Sequence, residues 1–505
     1  SLYLLPPWID KMYAVPTKVV KTGYFEQLTR WRLRKPLLTI NFNGKELDDI
    51  PLAGSTLLDG KYNLSTVYAG KGSSADFDRL KAKGKAVVVD RNDEVTPSQQ
   101  ASAAAAAGAK LLIIVNNEDK EFSKYAGTPE YTDNPIAVAS ISKKEGDKLV
   151  KAVRSGDVKL QVEGTIDTPY VYDLMDVHKG SIPKDLTYAP KNKDLAKIDS
   201  RYNSHIETAG GEFRYDLRPH SFAAVGFLQK ISLPRARTEY VSAIEDTEWY
   251  HEAKILDATW QIRQPLATYT KGQKLTENWF SPVVRPSLGE GYWAPERQGD
   301  HLMINVPALA DAGKGNTGGI NDYNIKQKNQ TSKLYKGDTL VREGKGQALY
   351  ATDVAPKERT QFRFVTDATR DADRWNTSVR THTEWTFWTE ASEDWRYDLP
   401  FLTLDYKVDT DVNGDALANR PTNLELSVGK VEGAVGYGNV KDATLEVSFN
   451  EGKAWKKVKL TKDGDAYAAT IRNPINAKSV SLRASAWDDE GNKITQEIIK
   501  AYGLR

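Results

Sequence analysis

The side chains best suited to chemistry in this sequence are few and scattered. The six histidines are His178, His205, His220, His251, His301 and His382. No two stand four residues apart, the spacing that places both imidazoles on one helix face over a zinc ion. Glu248-Trp249-Tyr250-His251-Glu252 gathers two carboxylates, a phenol and an imidazole within one run. In a β context that run is either a metal or acid/base site or, more simply, a polar cluster at a strand edge. Asp409-Thr410-Asp411-Val412-Asn413-Gly414-Asp415 puts oxygen ligands at alternate positions with a glycine turn at the sixth, like the first half of a calcium loop. Arg420 occupies the twelfth position, where an EF-hand has a bidentate Glu, so the loop is not an EF-hand. Asp409, Asp411, Asn413 and Asp415 are therefore the candidate metal ligands and calcium the candidate cofactor. The alternative is an acidic interdomain linker. No catalytic residue is assigned.

Aromatic residues offer a different chemistry. Trp385 and Trp388, with Trp375 and Trp395 nearby, have rings that stack on sugars, although tryptophan in a β-sandwich is more often core. Carboxylates are too abundant for a glycosidase pair to be singled out without a geometry. Cysteine is absent, which removes disulfides, thiolate metal sites and cysteine nucleophiles together.

The elements that would position these residues are of two kinds. Residues 56–165 alternate strand and helix. Ala86-Val87-Val88-Val89-Asp90 reads as a strand, and Thr96-Pro97-Ser98-Gln99 as a helix start, with a capping Thr, Pro at the first helical position and Gln at the third. The alanine-rich stretch from Ala101 to Ala107 continues that helix to Gly108, and Leu111-Leu112-Ile113-Ile114-Val115 follows as a fully apolar strand. This is a βαβ unit, expected to cross over right-handed. Pro135 to Ile141 gives a further strand, and Ser142 to Glu145 a second capping box opening a helix that ends near Ser155-Gly156. Alanines suit a helix lying close on a sheet, and no Gly-rich phosphate loop accompanies them.

The rest reads as β. In residues 1–55, short apolar runs occur at Val19-Val20 and at Leu37 to Phe42, the latter before an Asn43-Gly44 hairpin signal. The basic run Arg30-Trp31-Arg32-Leu33-Arg34-Lys35 has the charge to dock an acidic partner but reads more simply as a solvated strand or loop. Residues 166–410 alternate without clear helices, as in Gln361 to Val365 and His382 to Glu390, with turn signals at Gly210-Gly211 and Gly318-Gly319. From 421 to 505, Leu445, Val447 and Phe449, then Val458 and Leu460, then Val480, Leu482, Ala484 and Ala486 share faces between turns such as Asp463-Gly464. That spacing predicts an immunoglobulin-like or fibronectin type III-like sandwich.

At 505 residues the chain is too long for one core and predicts three or four units. Its 70 basic residues against 68 acidic ones give no electrostatic case for nucleic acid or an anionic membrane. No apolar run approaches the roughly 20 residues that span a bilayer. The expected fold class is a mostly β, multi-domain chain: an N-terminal β segment at 1–55, an α/β domain at 56–165, β-rich domain or domains at 166–410, and the final sandwich at 421–505.

Two resemblances to known families add to this. Gly84 to Arg91, the alanine-rich helix, Gly108-Ala109, Leu112 to Asn117 and the Ile136 to Ser142 strand followed by Glu145-Gly146 together resemble the PA (protease-associated) domain over roughly 60–165. PA domains are non-catalytic and occur in subtilisin-like proteases, certain zinc aminopeptidases and sorting receptors, where they bind or gate protein ligands. Leu445 to Trp455, Val480 to Asp488 and Ala501-Tyr502-Gly503-Leu504-Arg505 look like the C-terminal tail of large secreted subtilisin-like proteases of actinobacteria. Such an enzyme needs an Asp, a His and a Ser within Asp-Ser/Thr-Gly, His-Gly-Thr-His and Gly-Thr-Ser-Met-Ala motifs. None occurs here; His178-Lys179-Gly180 is the one partial match. The resemblance thus implies an accessory, non-catalytic region of a secreted, extracellular protease. It would bind protein or peptide substrate, and a cleaved catalytic chain would be a further partner. The alternative is a secreted interaction or adhesion protein holding a glycan or cell-wall polymer on its sandwiches.

Overall fold

A computed structural model describes residues 15–17, 26–120, 122–129, 132–219, 226, 229–256, 258–288, 294–320, 329–464 and 466–505. The expected run at Val19-Val20 and the histidine at position 220 lie outside them. The chain divides into two compact units, Ser1–Tyr188 and Ala189–Arg505.

In the first unit the apolar runs become the centre of an eight-stranded mixed sheet. Gly60–Tyr68, Ala86–Asp90, Leu111–Val115 and Ala137–Ile141 pair in parallel, in that order. Side-chain alternation sends Ala86, Val88, Leu111 and Ile113 to one face and Val87, Val89, Leu112 and Ile114 to the other, giving two separate cores. The helix Pro97–Ala106 covers the second face with Ala101, Ala103 and Ala104. Thr96 caps it in a complete box with Gln99. The helix Lys143–Ser155 covers the first face through Leu149. Its Ser142 cap accepts the Glu145 N–H at 3.4 Å, but the Glu145 carboxylate accepts the Asp48 N–H instead, so only half of the expected box forms.

The division drawn at residue 55 falls inside this sheet. Leu38–Phe42 pairs with Val158–Gly164, and Asp49–Pro51 with Ala137–Ile141, so the N-terminal segment supplies edge strands that would otherwise be open. The basic run is no solvated face either. Glu26–Arg34 pairs with Tyr170–Lys179, and Arg30 and Arg32, each 1% exposed, approach the Asp173 carboxylate at 3.7 and 3.5 Å.

The second unit is β throughout apart from one 3₁₀ turn among its described residues. Its first sandwich sets Arg235–Ser242, Leu195–Tyr202 and Lys274–Trp279 against a sheet of Gln229–Leu233, Thr208–Leu217, Glu248–Ile255, Trp260–Arg263 and Thr317–Ile320. Gly210-Gly211 and Gly318-Gly319 sit within these strands rather than in turns. A Cβ at Gly210 would collide with Leu233, and one at Gly318 with Ile262 and the Leu309 carbonyl, so close packing explains both glycines.

The remaining strands do not separate at residue 421. Thr339–Lys345, Gln330–Lys336, Thr360–Thr369 and Arg380–Thr389 continue directly into Lys493–Leu504, Ser479–Asp488, Val440–Ser448 and Lys456–Val458. The join runs from Arg380↔Ile499 to Thr386↔Lys493. Two smaller sheets, one holding His301–Asn305 and one holding Leu402–Val408, complete the two sandwiches. A single apolar core runs from Val283 to Tyr502 through both. The expected mostly β fold is present, but its last domain shares a sheet and a core with the domain before it.

Candidate functional site

In an open α/β sheet, ligands gather beyond the carboxyl ends of the parallel strands. Here those ends release Gly70-Lys71-Gly72, Arg91-Asn92, Asn116-Asn117 and Ser142 side by side. Buried side chains brace the loops. Gln100, 1% exposed, donates to the carbonyls of Lys71 and Asp90 at 2.8 and 2.9 Å, and Asn92 donates to the same two at 3.1 and 2.9 Å. Arg91 donates to Asn116 Oδ1 at 2.8 Å while its guanidinium lies 4.5 Å over the Phe122 ring. Asn116 in turn donates to the Lys120 carbonyl at 2.9 Å. Tyr68 donates to Asp90, with the Arg154 guanidinium 4.5 Å from its ring. Burial and the Asp90 carboxylate push the Tyr68 phenol above its ordinary range, so it stays a proton donor.

This bracing leaves an exposed rim of Lys71, Glu94, Asn117, Glu118 and Lys120, in which Lys71 pairs with Glu94 and Lys120 with Glu118. A stiff rim of amides, carbonyls and paired charges suits hydrogen bonding to a polypeptide. The sequence signal was available in the Asn-Asn and Arg-Asn pairs that follow two apolar strands. Their convergence with Gln100 was not, because it depends on the crossover.

The residues singled out from sequence fall in other places. Asp411 Oδ1 accepts the N–H groups of Asn413 and Asp415 at 2.9 and 3.1 Å, and its Oδ2 accepts Arg505 Nε at 2.6 Å. Asp409 is exposed on a cleft of about 920 Å³ that Glu277, Lys407 and Glu425 also line. Burial, with Asp411 beside it, raises the Asp415 carboxyl above its ordinary range. Among the described residues the three-ligand group that comes together is another one, Asp300, His301 and Asp353, on the surface. There His301 Nδ1 already accepts the Asp353 N–H at 3.2 Å.

His251 is not at a strand edge. Its strand lies between Thr208–Leu217 and Trp260–Arg263, and the imidazole is buried inside the first sandwich. Nε2 lies 3.0 Å from Glu212, and Nδ1 lies 2.8 Å from Arg214 Nη2 and 3.6 Å from Glu277. Arg237 bridges Glu212 and Glu239 at 2.7 and 2.8 Å, and Tyr202 donates to Glu239 at 2.7 Å. Burial and Arg214 act to lower the His251 pKa, but Glu212 and Glu277 outweigh them and hold it above its ordinary value. Two guanidiniums and the imidazole thus face three carboxylates, with Arg214 donating to His251 Nδ1 and each buried charge lying beside one of opposite sign.

Trp385 cannot stack on a sugar. It is 1% exposed, packs on Phe364 and Phe401, and donates from Nε1 to the Leu402 carbonyl at 2.8 Å. Trp388 lies under the Arg359 guanidinium, whereas Trp395 is 65% exposed.

The parallel strands, two covering helices and braced loops are the setting in which a PA-domain family model matches residues 53–149. This chain carries a PA domain. Among solved structures, an aminopeptidase from Aneurinibacillus sp. strain AM-1 is similar at 21% identity, over 31% of this chain and 37% of that one, with a TM-score of 0.23. A zinc aminopeptidase from Bacillus subtilis is similar at 21% identity, over 35% and 40%, with a TM-score of 0.22. The chain thus spans about two fifths of each aminopeptidase. Fibronectin(III)-like modules of Clostridium thermocellum CbhA align at 12% identity over 43% of this chain and 91% of theirs, with a TM-score of 0.14. At such identities and TM-scores these likenesses carry nothing about activity. Against curated proteins the chain has no significant match.

Proposed function

We propose that this chain is the accessory, non-catalytic region of a secreted, subtilisin-like serine protease. Its PA domain holds protein or peptide substrate, and its β-sandwiches support and position a catalytic chain. The observation that carries the reading is the PA domain at 53–149 with its braced, polar loop rim. The subtilisin-like link and the extracellular location rest on the C-terminal resemblance between 445 and 505. In this reading the exposed rim is the contact surface. Reversing Glu94→Lys and Lys120→Glu together weakens binding of an unfolded protein severalfold and leaves the melting temperature unchanged. Equal binding by the reversed and native chains would move the contact elsewhere.

Calcium at Asp409, Asp411, Asn413 and Asp415 is a separate proposal. An ion there has to displace Arg505 from Asp411, so Arg505→Ala is the sensitive probe. Millimolar calcium raises the melting temperature of that variant; no rise removes calcium from the account.

A further inference from the structure

The small sheet that holds His301–Asn305 runs in the order Ala348–Ala351, His301–Asn305, Glu296–Gln298 and Arg396–Asp398, each strand antiparallel to the next. Alternation along these strands sorts their side chains. Leu302, Ile304, Leu349 and Ala351 enter the apolar core. Glu296, Met303, Asn305, Tyr350 and Arg396 therefore stand on the opposite face, where with Gln298 they line a pocket of about 260 Å³.

Asn305 is the unusual member. It is 6% exposed, and among the described residues neither its Nδ2 nor its Oδ1 has a hydrogen-bond partner. A carboxamide carries two donor hydrogens and an acceptor oxygen, and burying them unbonded is costly unless a polar group enters the pocket to meet them. Glu296, the one carboxylate among the described lining residues, is the opposite case. Arg396 Nε and Nη2 meet its Oε2 at 2.7 and 2.6 Å, and Gln298 Nε2 donates to its Oε1. Its charge is thus neutralised within the chain, while Oε1 keeps one lone pair.

Aromatic surface flanks the pocket. Tyr350 is exposed on the strand beside Met303, and Trp395, more exposed still, directly precedes Arg396. The Gly299 N–H donates to the Trp395 carbonyl at 2.8 Å, and a Cβ on Gly299 would lie 3.1 Å from the indole Nε1. The Trp395 ring therefore rests against the turn that follows Gln298. Exposed rings, an unbonded carboxamide and a neutralised carboxylate are together the groups that hold a sugar. Its C–H faces stack on aromatic rings, and each of its hydroxyls both donates and accepts.

We propose that this pocket binds one neutral sugar residue of a glycan, with Asn305 bonding a hydroxyl or acetamido group and Tyr350 and Trp395 flanking the ring. Its volume falls just under the roughly 300–1,000 Å³ of pockets for drug-sized ligands, which suits a single ring rather than an extended chain. An ionic ligand is not favoured, because Glu296 and Arg396 already satisfy each other. A polypeptide is less well served too. A peptide added to a sheet pairs with backbone groups along an edge strand, whereas this pocket offers side chains on a face. The site stands whether or not the PA loops bind protein.

The test titrates the full chain with cellobiose, with the disaccharide of N-acetylglucosamine, and with a blocked tripeptide carrying a central lysine. Calorimetry reads binding, and tryptophan emission reads the stacking. Saturable binding of either sugar with a shift in emission, and none of the tripeptide, supports the pocket and says whether a hydroxyl or an acetamido group meets Asn305. Asn305→Leu, close in shape but unable to hydrogen-bond, weakens that binding roughly tenfold or more. Its melting temperature equals or exceeds that of the native chain, because an unbonded buried amide is gone. Trp395→Ala changes an exposed side chain, weakens binding severalfold and removes the emission shift; it decides alone if Asn305→Leu fails to fold. Unchanged sugar binding by either folded variant, equal or exclusive binding of the tripeptide, or no sugar binding, which would leave Asn305 to water, overturns the proposal.

Discussion

Asp49 shows how a single side chain sets a pH response. It stands on the short strand Asp49–Pro51, and its buried Oδ2 has no hydrogen-bond partner. Burial, reinforced by the charges of Glu46, Asp48 and Glu145, raises its pKa to about 8 against the one favourable contribution from the Ile40 backbone. An unfolded Asp ionises near its ordinary value of about 3.9. The unfolded chain therefore releases this proton first, and stability contributed at this position is full below about pH 4 and is lost as pH rises towards 8. Asp49→Asn removes that loss. The first unit should melt higher at pH 8 in the variant than in the native chain, with each kcal/mol gained worth about 2–4 °C in a unit of this size. Thermal melts at pH 5 and pH 8 check this; equal native and variant melting at pH 8 contradicts it. Little of it could be read from the sequence, where Asp48-Asp49 looks like an ordinary acidic turn. The same holds for His251. Its type was visible, but its burial depends on which strands become central, and that is fixed by long-range pairing.

At the scale of elements, much more was legible. The Thr96 cap, the alanine helix and the two apolar strands form the βαβ unit their pattern predicts, because cap, propensity and periodicity agree. The glycine pairs misled, since a glycine that lets two backbones approach looks the same in sequence as one that turns the chain. Gly146 makes the point testable. It sits inside the helix Lys143–Ser155, where a Cβ would strike Val115. Helix propensity alone predicts that Gly146→Ala stabilises by about 1 kcal/mol. Overpacking predicts a loss of about 1–3 kcal/mol, recovered in part when Val115→Ala makes room. Denaturant unfolding of the single and double variants separates the two, and a more stable single variant would show that the helix can lift off the strand without cost.

For the whole molecule, periodicity identified a mostly β chain with one α/β domain. Two of the expected divisions, at 55 and 421, cut across sheets. Residues 38–51 join the PA sheet, and Arg380–Thr389 pairs with Lys493–Leu504, because an open strand edge finds the nearest complementary edge whatever its distance in sequence. In the proposed function, the braced loops of the PA domain hold a polypeptide for chemistry performed elsewhere. The most direct measurement mixes the purified chain with a labelled, unfolded protein and follows anisotropy and intact mass together. The account predicts a saturable rise in anisotropy with the mass unchanged. Cleavage that disappears when one side chain of this polypeptide is substituted, or no rise at all, would contradict it.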